Sequence, residues 1–249
     1  MSRPAAEIVR EYGPFPGVAA VHGVTYDGQH VWFATGDRLI AFDASSGRTV
    51  RAIEMAGAHA GTAFDGRHLF QLVEDRILKI DPKTGRVLHS IPAPGGGGDS
   101  GLAWAEGTLW VGQYRERKIH QIDHETGAIL RTIESNRFVT GVTWIDGELW
   151  HGTWEDDTSD LRRVDPRTGE VLETLEMPAG VGVSGLESDG GDLFFCGGGS
   201  TGKVRAVRRP RRGSARRSDS RMGVRSARTG RAFHPGWAGS KSRPKPNRL

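Results

Sequence analysis

Short runs rich in β-branched and aromatic residues follow one another along this chain, and turn-forming residues break them at close, regular intervals. The run HLFQLV (68–73) is followed by RILKI (Arg76–Ile80) and then RVLHSI (86–91), as half-buried strands are written. Between them stand DG, ED and DPKTG, which are turn chemistry. Helix formers dominate no long window. The pattern therefore predicts an all-β chain of short antiparallel strands.

The same pattern repeats. A turn followed by an aliphatic–aromatic pair occurs as DGQHVW, DGRHLF, EGTLW, DGELW and GGDLF. Its aromatics, Trp32, Phe70, Trp110, Trp150 and Phe194, are 38, 40, 40 and 44 residues apart. A second element, FDASSG, IDPKTG, IDHETG and VDPRTG, keeps step with the first four copies, its aspartates Asp43, Asp81, Asp123 and Asp165 being 38, 42 and 42 apart. Each unit reads as four strands; in unit two these are residues 61–64, 68–73, 76–80 and 86–91. Four antiparallel strands in each of five forty-residue units make a five-bladed β-propeller. Unit five stops after its third strand. The lone strand at residues 6–12 (EIVREY follows Ala6) is expected to supply the missing outer strand and close the ring, which removes two sheet edges.

Charge divides the chain. Fifteen Lys/Arg and one acid, Asp219, lie within residues 205–249, so +14 sits there and −10 on the remainder of a chain of formal net charge +4. The propeller domain is expected to span residues 1–210. Residues 211–249 read as a disordered basic tail, in contact with nucleic acid only non-specifically. The abrupt change of composition there resembles a run-on end. The single cysteine, Cys196, allows no internal disulfide. No apolar run approaches the length of a membrane span, so the expected state is a cytoplasmic monomer without a membrane partner.

Residues 197–203 (GGGSTGK) fit the first part of a P-loop. Val204 follows where Ser or Thr is needed for Mg²⁺, and VRAV alternates like a strand, so no nucleotide site is expected. No histidines have the spacing of a metal-binding pair. The expectation is no metal and no cofactor. Propellers gather ligands where equivalent positions of each blade converge at the channel mouth. One such set precedes the strand-a glycine: His22, Ala60, Ser100, Thr140 and Ser184. A second ends strand b: Gly36, Glu74, Tyr114, Trp154 and Gly198. These positions vary while the frame around them repeats. Tyr114, Trp154 and Glu74 suit a small polar or cationic ligand. His59, beside Ala60, and Gln71, Gln113, His151 and Glu155 are placed to add hydrogen bonds.

Unit four, FVTGVTWIDGELWHGTWEDD, resembles the plant and bacterial type of glutamine cyclotransferase, a five-bladed propeller that makes N-terminal pyroglutamate. QLVEDRILKIDPKTG in unit two is similar to the same family, and the likeness in pattern extends over units one to five. By position, Trp154 matches a family active-site Trp within T-W. Thr140 stands where the family has Asn, Glu74 where it has a second Trp, and Ser100 where another Trp is expected. Ala60 stands where G-E-G-L supplies the catalytic glutamate. The resemblance implies either a propeller that binds a small molecule or a peptide N-terminus with its chemistry lost or changed, or a working glutaminyl-peptide cyclotransferase, an acyltransferase in which Glu74 would be the catalytic acid. Unit one, HGVTYDGQHVWFAT, is similar to streptogramin B lyase-like propellers and implies a C–O lyase as a further alternative, with His22 as the matching histidine.

Overall fold

A computed structural model of the protein describes residues 4–210; residues 211–249, where the basic tail was expected, lie outside them. Twenty strands form five four-stranded antiparallel sheets. The first strand, β1 (Ile8–Tyr12), stands apart from the four that follow it. Blade one holds β2 (Val24–Tyr26), β3 (His30–Ala34), β4 (Gly36–Asp43) and β5 (Thr49–Ala58). Blade two holds β6 (Thr62–Phe64), β7 (Leu69–Val73), β8 (Arg76–Ile80) and β9 (Val87–Pro92). Blade three holds β10 (Asp99–Ala105), β11 (Thr108–Gln113), β12 (Lys118–Asp123) and β13 (Ile129–Glu134). Blade four holds β14 (Phe138–Ile145), β15 (Glu148–Trp154), β16 (Asp160–Val164) and β17 (Val171–Glu176). Blade five holds β18 (Leu186–Ser188), β19 (Leu193–Gly197) and β20 (Val204–Arg208), and its outer strand is β1, antiparallel to β20 with Tyr12 opposite Val204. Among the described residues no helix is long and apolar enough to cross a membrane.

The two repeated turns work as the sequence indicates. In the first, Asp27 Oδ1 accepts the Gln29 and His30 N–H groups, and its other oxygen takes the Trp32 indole N–H. In the second, Asp123 Oδ1 accepts from Glu125 N and Thr126 N, and Gly127 N closes onto Asp123 O. The carboxylates of this second turn lie at the surface and are held below their ordinary range by the Ser or Thr hydroxyls and backbone N–H groups of the turn.

Blade five departs from the expected register. Phe195, not Phe194, pairs with strand a as Trp32, Phe70, Trp110 and Trp150 do: it faces Glu187, where those face Thr25, Ala63, Ala103 and Thr143. The reason is local. The a–b turn of blade five closes from Asp189 N to Leu193 O, one residue longer than the Asp27 N to His30 O turn of blade one. Strand b is displaced by one, and Gly199 rather than Gly198 takes the place equivalent to Trp154.

Five apolar clusters, one between each pair of neighbouring blades, make up the core. Each contains one of those repeated aromatics, with Phe195 seated between blades five and one beside Tyr12, Phe33 and Phe42. Toward the axis, side chains give way to a seam of backbone. Gly23, Gly61, Gly101, Gly141 and Gly185 each lie against the backbone of the next blade, in cyclic order. A Cβ on Gly101 would fall 2.5 Å from Thr140 O, and one on Gly185 would fall 2.5 Å from His22 O. Backbone cannot move aside as a side-chain tip can, so Gly101→Ala should lower the unfolding free energy by about 1–3 kcal/mol. Urea unfolding checks this, and an unchanged midpoint and slope would refute the packing account.

Candidate functional site

Each strand a enters the ring just ahead of its seam glycine, and each b–c turn rises beside it. On that face the structure brings several expected residues together and separates others. His22 and His59, from neighbouring blades, stand edge to face with ring centroids 5.4 Å apart. Burial, and then the neighbouring His59, hold the His22 imidazole below its ordinary pKa.

Trp154 and Thr140 share a cavity of about 270 Å³ between blades four and five. Gly182, Val183, Ser184 and the loop Gly198–Gly199–Ser200–Thr201 complete its wall. That loop is the P-loop-like stretch of the sequence, and it is the turn between β19 and β20, followed by a strand and not by a helix. The Trp154 indole lies against Gly182. Ser184 Oγ donates to Val21 O at 2.6 Å and accepts the Gly199 N–H at 3.1 Å. The Thr140 hydroxyl is buried and has no hydrogen-bond partner.

Gln113 and Tyr114 lie in a second cavity, of about 350 Å³, within blade three. Two acids share it, the partly buried Asp99 and the exposed Glu116. Glu74, the acid expected from the sequence, sits exposed at the tip of the turn between β7 and β8, at φ 52°, and lines neither cavity. Burial pushes the Asp99 carboxyl up to about 6, against the opposing pull of the Gly95 N–H and the Gln113 amide. Asp99 Oδ2 accepts the Gly95 N–H at 3.0 Å, and Oδ1 is buried without a partner. The Tyr114 ring stacks on Phe138 at 4.8 Å, and the Arg117 guanidinium lies over the Phe138 ring at 4.6 Å.

Three residues expected at the mouth are instead held in the frame. The Gln71 carboxamide is buried and fully occupied by Thr62 Oγ1, Ala60 O and Leu72 O. His151 is buried in β15 with Nδ1 on Gly152 O, and burial pushes its pKa down to about 4. Both pair with the residue directly after the seam glycine, Gln71 with Thr62 and His151 with Val142. The Glu155 carboxylate is taken by Arg117 at 2.5 Å and lies 3.7 Å from Arg137. Cys196 is buried and its thiol is pushed up to about 12, so it is no nucleophile.

Asp99 escaped the sequence reading, yet a signal was present. Blade three alone precedes strand a with four consecutive glycines, Gly95 to Gly98, and Asp99 directly follows them.

A family model described as "Outer membrane protein assembly factor BamB" matches residues 73–231. The chain belongs to this family. Its fold is shared among solved structures. The glutaminyl cyclase of Myxococcus xanthus superposes with a TM-score of 0.70 at 19% identity, over 83% of this chain and 97% of that one. The WD40 β-propeller domain of Doa1 gives 0.50 at 17% identity, over 75% of this chain and 63% of that one. The WD40 repeats of RRP9 give 0.50 at 12% identity, over 83% and 99%. At such identities the likeness is one of fold. No curated protein matches the sequence.

Proposed function

We propose that this BamB-family propeller binds a small molecule or a peptide N-terminus in the Trp154 cavity, and that it does so without cyclotransferase turnover. One observation carries the reading: Thr140, whose buried hydroxyl has no partner, lines a cavity walled by the Trp154 indole. A buried polar group left unpaired costs about 1–3 kcal/mol. Turned toward the cavity, the Thr140 hydroxyl pairs with a polar ligand atom and recovers the cost, and the Trp154 face supplies apolar and cation–π area. Against turnover stands Ala60, whose methyl group cannot carry the proton from an attacking amine to departing ammonia. Glu74 lies at an exposed tip and does not replace it.

A second reading, a working glutaminyl-peptide cyclotransferase, is favoured by Asp99. Its carboxyl, with a pKa near 6 and beside Tyr114, has the acid–base character that Ala60 lacks.

Calorimetric titration with a short peptide bearing N-terminal glutamine separates the two. The expected result is saturable binding, at least tenfold weaker in Trp154→Ala, with ammonia release no higher than in a protein-free control. Thr140→Val should weaken binding while leaving the unliganded protein as stable or more so, because the valine replaces an unpaired hydroxyl. Unchanged binding in both variants refutes the site. Ammonia release that Asp99→Asn abolishes refutes the absence of turnover and establishes the second reading.

A further inference from the structure

We infer that the blade-three cavity is a separate site for a compact organic cation, a primary ammonium group, with Asp99 as its counter-ion. The position of Asp99 is repeated in every blade, two residues ahead of the seam glycine: Val21, His59, Asp99, Val139 and Val183. The three valines are buried apolar core. Blade three breaks that rule with a carboxylate and wraps a glycine loop around it. Gly95 N donates to Asp99 Oδ2, Gly98 N to Gly95 O at 3.1 Å, and Tyr114 N to Gly98 O at 3.3 Å. A side chain at Gly95 would fall 2.5 Å from both Asp99 Oδ1 and Gln113 Nε2, so the loop fits closely over the acid.

The carboxylate lacks a counter-charge. Oδ1 is buried with no donor in full hydrogen-bond geometry, the neutral Gln113 amide is the side-chain group that draws it toward ionisation, and among the described residues no cationic side chain pairs with Asp99. A buried carboxylate oxygen without a donor is costly, and a cavity opens onto its residue. The missing complement is a positively charged donor small enough for about 350 Å³. The Gln113 carboxamide and the Tyr114 ring wall the same space, an acceptor and a π-face that suit an ammonium group. The charged side chains at the rim are Arg115 and Glu116, which offset one another; Glu74, from the neighbouring turn, approaches Gly97 through its main chain. An anion would meet Asp99 directly. A neutral alcohol supplies one donor and no charge.

The raised pKa of Asp99 sets the pH sense. The cation binds the ionised carboxyl, so its affinity falls as pH drops through about 6 and is level above it. Bound cation in turn lowers the pKa of Asp99.

The test compares ethylammonium with ethanol and propionate, matched in size, by calorimetry at neutral pH. The expected result is saturable millimolar binding of ethylammonium alone, at least tenfold weaker in Asp99→Asn and weaker in the wild type below the carboxyl's midpoint. Equal binding in Asp99→Asn, or a preference for propionate or ethanol, overturns the inference. Carboxyl-carbon NMR of Asp99 in the wild-type protein gives a readout that needs no variant. Ethylammonium should lower the titration midpoint, and an unmoved midpoint overturns the inference as well.

Discussion

Deletion of residues 1–12 is expected to abolish cooperative melting and send the protein into aggregates. β1 is the outer strand of blade five, but its reach is wider. Ala6 N donates to Glu176 O in blade four, and Arg208 N donates to Glu7 O in blade five. The Tyr12 hydroxyl and the Arg10 guanidinium both reach Ala44 O in blade one. Three blades are thus held by one short segment. Tyr12 is 6% exposed and its ring lies 4.8 Å from Phe42. Loss of a buried aromatic of this size alone costs about 3–5 kcal/mol. Glu11 also leaves, and the nearly buried Arg205 loses the carboxylate it holds at 2.7 Å. These losses approach the whole stability of an ordinary domain, about 5–15 kcal/mol, and they uncover the edge of β20. Scanning calorimetry and light scattering check the outcome. A soluble truncation with a single sharp transition would show that β1 is dispensable.

The second large effect concerns Glu187, which crosses the seam between the last blade and its two neighbours. Its carboxylate accepts Thr25 Oγ1 of blade one at 2.9 Å and Thr143 Oγ1 of blade four at 2.5 Å, with Ser188 N at 2.8 Å. Burial outweighs these three donors and pushes the pKa up to about 7 from an ordinary 4.5. A folded-state pKa above the unfolded one means that folding favours the protonated form. The contribution is fully present below about pH 4.5 and is lost as pH rises through about 7. Glu187→Gln keeps the shape and removes the charge. Relative to wild type, the variant should gain about 3 kcal/mol of unfolding free energy between about pH 4 and pH 8. His151 acts in the opposite sense. Its folded-state pKa is about 4, so its contribution is present above its ordinary 6.5 and is lost in acid. The difference between variant and wild type removes that term, and urea unfolding across the pH range measures it. A difference that stays flat with pH refutes the assignment.

The architecture was legible because two motifs keep step through the chain, and each carries its own physics: a DG turn between strands a and b, and an aspartate-capped turn between c and d. The closing role of the N-terminal strand followed from a simple shortage, a fifth unit with three strands. The one-residue displacement of blade five was not legible, because GGDLF satisfies the motif in either register and only the longer turn decides between them. Within the candidate site, Trp154 and Thr140 stood out as irregular positions in a regular frame. Gln71 and His151, taken as polar neighbours able to add hydrogen bonds, proved to be buried frame, since polarity alone does not say which face of a strand a residue occupies. Asp99 and Glu187 were invisible to that approach. One hides behind a glycine run that reads as mere loop, and the other replaces a threonine or alanine deep in strand a, where sequence offers no sign of burial.

The closing strand also sets an order of events during synthesis. β1 has no strand partner until β20 has emerged, nearly two hundred residues later, since Tyr12 pairs with Val204. Blades one to four can each form from neighbouring segments, whereas the ring as a whole cannot close before β20 has been made. Contacts of such long sequence separation are made late and slowly. Until β20 is made, the propeller is therefore an open arc whose outer closing strand waits unpaired.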